Sequence, residues 1–404
     1  MTAPPLSSTN RCPDTGIRYI RHTGEPAVFK AGWVIKDSRT VLENAGIAVA
    51  RGRITGILTT VPKDRVVKDC GPGILMPPLV NAHLHLELSA LANRLPLGKG
   101  FAPWVTALLR ERESIGNPAL TRAAKAAVQV LPGQGTGPVG EISTLGITRA
   151  LLSEHATPGV WFREYLGTGR PDVTLVTDGP LSVSAAGHAP HTTSPDLLTY
   201  LKNRTKKAGL VFSIHVAESD VEREFLAGNN PQWHDFLVQR GIDPSGWPVG
   251  NKTPVGYLND LGTLGPDTLA VHLLQVTDTD LDLLAETRTR ICLCPRSNVN
   301  LHGRFPDIPA MLNHGLTPAL GTDSLASCGS LSLFDEMAFV RHHCPDLSPA
   351  DILAMATENG AQALGLADRF GSLDPGKRSE FIYLAQEASS RHQVLEKAVS
   401  YGTR

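Results

Sequence analysis

No disulfide framework is legible in this chain. Six cysteines (Cys12, Cys70, Cys292, Cys294, Cys328 and Cys344) are scattered through 404 residues, with no CxxC and no regular spacing. That usage fits reduced thiols in a cytoplasmic protein better than a stapled secreted domain. Cys292 and Cys294 could belong to a soft metal site, but two thiols without two partners read more simply as buried apolar residues. Also missing is an apolar run long enough to span a membrane. The first residues lack the basic region and apolar stretch of a signal peptide. Nor does one charge dominate: 38 Lys and Arg against 39 Asp and Glu, a formal net charge of −1, provide no basic surface for nucleic acid and no charged tail. The expectation is a soluble cytoplasmic protein that acts on a small molecule and binds neither nucleic acid nor membrane.

What is present is ample apolar material, 41% of residues, arranged in alternation. Eight β-like runs (74–85, 137–142, 160–165, 181–188, 211–215, 269–272, 290–294 and 317–323) are separated by stretches of helical spacing such as 119–131, 195–208, 278–287 and 349–364. Such alternation predicts parallel strands with crossover helices, and eight repeats predict a closed (β/α)8 TIM barrel. Outside it, short strands at 28–29, 33–35, 47–50 and 53–57, with Gly52 as a hairpin turn, match another at 381–384. The resulting division is a loose extension over 1–24 and a small β-sandwich domain built from 25–73 and 368–404. The barrel occupies 74–367.

Barrel enzymes carry their reactive residues at the carboxyl ends of the strands. Here the first strand ends in His83-Leu84-His85, whose side chains leave one face because residues i and i+2 do so in a strand. The fifth ends in His215, the sixth in His272 and the eighth in Asp323. Singly, a strand-end histidine is more often a hydrogen-bonded rim residue, and a strand-end aspartate commonly caps the next helix. Five at the same end of different strands are hard to attribute to packing. Imidazoles with a carboxylate suit a divalent transition ion such as zinc, with room for a water. Glu218, three residues past His215, lies in a loop over the barrel mouth, where a carboxyl can shuttle protons. The plainer reading starts a helix there with Asp220 and Glu222, since acids favour a helix N-terminus.

The segments NAHLHLE, IHVAES, AVH, CPRSN, GTDS and PGKR together resemble the amidohydrolase superfamily, in its cytosine-deaminase-like and chlorohydrolase-like branch. The resemblance implies that His83, His85, His215 and Asp323 bind one divalent metal ion, zinc or alternatively iron. It further implies Glu218 as proton shuttle, His272 as the group that orients the hydrolytic water or stabilises the intermediate, and Asp323 as proton acceptor. Relatives with two metals carry a carboxylated lysine after strand four; here that strand ends Ala186-Gly187-His188 and the nearest lysine is Lys202, in the following helix. One metal is therefore expected. Homodimers are frequent in the superfamily, so a homodimer is an open option.

For substrate, His188 matches the histidine of the family's HAPY-like segment, although His191 stands at the tyrosine position. Ser194-Pro195 there also reads as a helix cap and first turn. Arg296 could face an anionic or carbonyl group, and Trp104, after strand one, could wall the pocket. Glu87 reads as a supporting or helix-start residue. NAHLHLELS, GHAPHTTSP and IHVAES together resemble the aminodeoxyfutalosine deaminases, which implies hydrolytic removal of ammonia from an adenine-like ring. Alternatives are deamination of S-adenosylhomocysteine, methylthioadenosine or another nucleobase compound, chlorohydrolase or cyclic-amide hydrolysis, and an inactive barrel acting as a scaffold.

Overall fold

Eight parallel strands in sequential order form the centre of the computed structural model, which describes residues 16–60 and 65–402. They are Leu79–Leu84, Thr136–Ser143, Gly159–Tyr165, Leu181–Gly187, Phe212–Val216, Thr268–His272, Arg290–Leu293 and Ala319–Leu320, called barrel strands one to eight. Their residues are almost entirely buried, as both faces of a parallel sheet covered by helices require. Strand eight closes on strand one through a Leu84–Asp323 bridge, with the Thr322 and Asp323 amides both donating to the His83 carbonyl. Closure demands glycine at 321, where a Cβ would come within 2.7 Å of the His83 carbonyl oxygen and 2.8 Å of the His83 Cβ. The expected (β/α)8 barrel is thus the observed architecture.

The expected first strand, 74–85, is in fact two. Pro77 and Pro78 offer no N–H to a ladder. Ile74–Met76 before them pairs instead with Trp33–Asp37 and Glu380–Leu384, and the barrel begins at Leu79. A second departure lies at the start of the chain. Residues 1–15 are outside the described residues, but Ile17–Arg21, expected to be part of a loose extension, pairs antiparallel along its whole length with Glu380–Leu384. Partners 359 to 367 positions away supply order that local composition does not predict.

The two terminal sheets face each other as a sandwich. One is five-stranded and holds residues from both chain ends; the other is four-stranded, built on the hairpin Gly46–Ala50 and Arg53–Leu58. Arg51 (φ 50°) and Gly52 (φ 72°) both take the left-handed conformation that a two-residue hairpin turn requires. Val28 and Trp33, read as neighbouring strands, belong to different sheets. Phe29 and Phe381 pack edge to face across the gap, ring centroids 4.9 Å apart. Among the described residues Cys70, Cys292, Cys294, Cys328 and Cys344 are free thiols, and burial pushes the Cys294 thiol up, keeping it protonated. No helix of the described residues is long and apolar enough to cross a membrane.

Candidate active site

At the carboxyl ends of strands one and five, the Nε2 atoms of His83, His85 and His215 form a triangle. Its sides are 3.2 Å (His83 to His85), 3.2 Å (His83 to His215) and 3.3 Å (His85 to His215). Its centre lies about 1.9 Å from each nitrogen, close to a zinc–nitrogen bond length of ~2.0–2.1 Å. Hydrogen bonding gives no adequate reason for such a cluster, since three ring nitrogens aimed at one point cannot all be satisfied by one another. Burial, and then the neighbouring imidazoles, hold His83 well below the ordinary histidine range. Burial also takes His85 down to about 3, against the opposing pull of Asp323, and lowers His215. All three rings are therefore neutral at pH 7 and present a lone pair, the form that ligates a metal. The His215 tautomer is set from behind: Nδ1–H donates to the His188 carbonyl at 2.7 Å, leaving Nε2 free.

Asp323 completes the donor set. Its Oδ1 lies 3.5 Å from His85 Nε2 and 3.9 Å from His83 Nε2. Its Oδ2 is held by the hydroxyls of Ser297 at 2.5 Å and Ser327 at 2.7 Å. Asp323 (φ 59°), His272 (φ 81°) and Ala217 (φ 54°) all adopt left-handed backbone at the barrel mouth, where such strain is characteristic of functional positions. Three neutral imidazoles and a fixed carboxylate fit a divalent transition ion.

Beside this cluster Glu218 occupies the turn after strand five. Its Oε1 is 3.3 Å from His302 Nε2 and 3.8 Å from His272 Nε2. Burial pushes its carboxyl up, but His272, His302 and His215 outweigh that and hold it below the usual range. His272 is oriented by a 2.9 Å bond between Nδ1 and Asn298 Oδ1. The acidic run divides its labour. Ser219 caps the helix Asp220–Leu226 and Asp220 is half exposed beside Arg223 and Arg304. Glu222 is fully buried, accepts the Glu218 amide at 2.9 Å, and is pushed by burial to about 8.

His188 lines the cavity, its Nδ1 bonded to Thr192 Oγ1 at 2.6 Å, and burial lowers it to about 4. Ser194 caps the helix Pro195–Lys207 as its sequence suggested. Trp104 walls the cavity, as expected, from the helix Phe101–Ile115. Glu87 is a supporting residue, its carboxylate taken up by Ser143 Oγ and the amides of Thr144 and Leu145. Arg296 departs from expectation. It does not line the cavity; its Nη1 lies 3.7 Å from Asp335 and 4.0 Å from Glu336. Arg296, Ser297 and Asn298 are successive residues of one helix, turned about 100° apart. Ser297 and Asn298 reach the mouth, and Arg296 is carried away from it.

Sequence reasoning missed several neighbours. Glu164, at the end of strand three, has Oε1 3.7 Å from His215 Nδ1 and Oε2 accepting the Thr144 hydroxyl at 2.5 Å; burial pushes its carboxyl up. With His188 and His215 it forms a second group whose spacing could hold an ion. A glutamate one position before the end of an apolar strand was the available signal. His302 and Arg112 carried none, because helical phase alone decides which way they face. His85, His215, His272, Glu218 and Asp323 line the floor of a cavity of about 300 Å³, whose walls are largely apolar.

Residues 74–400 match the model of the amidohydrolase family. The aminodeoxyfutalosine deaminase of Deinococcus radiodurans is 30% identical over 315 residues, 72% of this chain and 73% of that enzyme. The 5-methylthioadenosine/S-adenosylhomocysteine deaminase of Nitratidesulfovibrio vulgaris is 28% identical over 406 residues, covering 90% of this chain and 84% of its own. Among solved structures, Helicobacter pylori aminofutalosine deaminase in complex with methylthio-coformycin superposes with a TM-score of 0.81 at 25% identity, over 92% of this chain and 96% of that one.

Proposed function

Because the chain belongs to the amidohydrolase family and is a hydrolase acting on carbon–nitrogen bonds, we propose that it removes the amino group of 6-amino-6-deoxyfutalosine as ammonia, a step of menaquinone biosynthesis. The observation that carries this reading is the convergence of three histidine Nε2 atoms and Asp323 Oδ1 beside Glu218 and His272 at the cavity floor. His83, His85, His215 and Asp323 would hold a divalent ion, zinc in preference to iron. When bound, that ion supplies Lewis-acid activation of water near neutral pH.

The chain's own groups would do the rest. Asp323, anchored through Oδ2 by two serine hydroxyls, keeps Oδ1 available to take the proton released from water. Glu218, ionised beside its histidines, would carry one of the attacking water's two protons to the ring nitrogen, and the other, held on Asp323, would return to the departing amine as the carbon–nitrogen bond breaks. His272, fixed by Asn298, faces the same space and can stabilise charge that develops on the tetrahedral carbon. His188 would contact the substrate from the wall, and the apolar cavity limits bulk water around the reacting atoms.

The N. vulgaris relative favours a second reading, deamination of methylthioadenosine or S-adenosylhomocysteine by the same groups. The test is ammonia release from a panel of 6-aminopurine nucleosides: aminodeoxyfutalosine, methylthioadenosine, S-adenosylhomocysteine and 5′-deoxyadenosine. The highest kcat/KM is expected on aminodeoxyfutalosine. A sulfur nucleoside at the top selects the second reading. No release from any of them, with turnover of a cyclic amide or chlorinated ring, overturns both.

A further inference from the structure

We propose that Glu222 is a positioning residue for Glu218: its buried side chain holds the left-handed turn after strand five in the shape that aims Glu218 at the barrel mouth. The proposal rests on the deaminase reading above, in which Glu218 carries a proton, and adds what fixes that group in place.

The turn is short and strained. Only Val216 and Ala217 separate His215 from Glu218, and Ala217 has φ 54°. A residue with a Cβ is disfavoured there, so the conformation persists only where its surroundings impose it. One restraint acts on the carbonyl side. The Leu273 amide donates to the Val216 carbonyl at 3.1 Å, and the Leu274 and Gln275 amides both donate to the Ala217 carbonyl at 2.8 Å. The other acts on the amide side, where Glu222 Oε2 accepts the Glu218 N–H at 2.9 Å. The Ala217 and Ser219 amides face the same carboxyl. Two clamps thus grip the turn, one from the end of strand six and one from the helix Asp220–Leu226.

Ser219-Asp220-Val221-Glu222 has the form of a capping box, and Ser219 Oγ accepts the Glu222 amide at 3.2 Å. An ordinary box returns its second bond to the N-cap amide. Here the glutamate reaches one residue further back, to Glu218. Its other oxygen, Oε1, makes no hydrogen bond among the described residues, so the bonding of the carboxyl is directed at this turn. Burial pushes the group to about 8, against the pull of the three amides, and at pH 7 it is a neutral acceptor. Reach therefore matters more than charge. Glutamine has the same length and an acceptor oxygen, whereas aspartate is one carbon short. What depends on the turn is distance: Glu218 Oε1 stands 3.3 Å from His302 Nε2 and 3.8 Å from His272 Nε2. A shift of ~1 Å in such a group can cost about 100-fold in rate.

The test is kcat for ammonia release by metal-loaded enzyme, on the best nucleoside of the panel above. Glu222→Asp should lower kcat about 10- to 100-fold with KM and metal per chain little changed, and Glu222→Gln should recover most of that loss. In a Glu218→Gln background, Glu222→Asp should lower the remaining rate by less than about threefold, because no proton carrier is left to misplace. An equal loss in both backgrounds marks a merely structural role and overturns the proposal. So does a Glu222→Asp enzyme as fast as the parent, a Glu222→Gln enzyme no better than Glu222→Asp, or loss of metal in step with kcat. Glu222→Met, which keeps the bulk and loses the acceptor, serves the same comparison if the aspartate variant does not fold. Should no nucleoside be deaminated, the deaminase reading fails and a crystal structure of metal-loaded Glu222→Asp decides the positioning role. Glu218 Oε1 displaced from His302 by ~1 Å or more supports it, and an unmoved Glu218 overturns it.

Discussion

Glu218→Gln separates proton transfer from metal binding. The side chain touches His302 at 3.3 Å and faces His272 at 3.8 Å, and it lies outside the His83, His85, His215 and Asp323 donor set. Its main-chain N–H bond to Glu222 does not depend on the side chain. Glutamine has the same shape, so the fold and the four donors should persist while the ability to carry a proton is lost. Positioned general acid–base groups contribute ~10²- to 10⁴-fold, equivalent to about 3–5 kcal/mol of barrier at ~1.4 kcal/mol per decade. The variant should therefore bind the same metal per chain by atomic emission and melt at the same temperature. Its kcat for ammonia release should fall by two to four orders of magnitude with little change in KM. Turnover within tenfold of the parent would refute the assignment. Loss of metal alongside activity would instead place Glu218 in the ligand set.

Three other outcomes follow from the same geometry. Chelation should abolish ammonia release and lower Tm by a few degrees, with both restored by zinc, because a ligand held about a hundredfold above its Kd adds ~2.7 kcal/mol to the native state; full activity of verified metal-free protein would refute this. Gly321→Ala should reduce metal occupancy as well as stability, since the new Cβ meets the His83 carbonyl oxygen at 2.7 Å and its Cβ at 2.8 Å; a variant with full occupancy by elemental analysis would count against it. Glu336 is fully buried and burial raises its carboxyl to about 8 from the usual 4.5, against the pull of Arg296. The folded state then binds more protons than the unfolded one between those values, so stability should decline as pH rises through that window. Glu336→Gln should flatten the decline in urea midpoints measured at pH 5, 6.5 and 8, and a steeper decline would refute the sign.

The barrel and its metal-capable floor were legible because both depend on periodicity. Parallel strands that alternate with helices bring all carboxyl ends to one side, so His83, His85, His215, His272 and Asp323 could be grouped from their positions in strands alone. The i, i+2 rule placed His83 and His85 on one face without any tertiary information.

Other features needed the folded chain. Arg296 was singled out from a helix start where its neighbours Ser297 and Asn298 face the site, because helical phase, which a three-residue motif does not reveal, turned it toward Asp335 and Glu336. Glu164 and Arg112 line the cavity from two separate elements, and His302 reaches Glu218 from a third. The break at Pro77 and Pro78 was visible, but not the destination of Ile74–Met76, which pairs with strands from both chain ends. By itself the sequence determined the class of fold and the residue types at its mouth, through local periodicities of two and 3.6. Only the tertiary structure decided which helical faces close the cavity, because contacts between distant segments are set by packing and not by spacing.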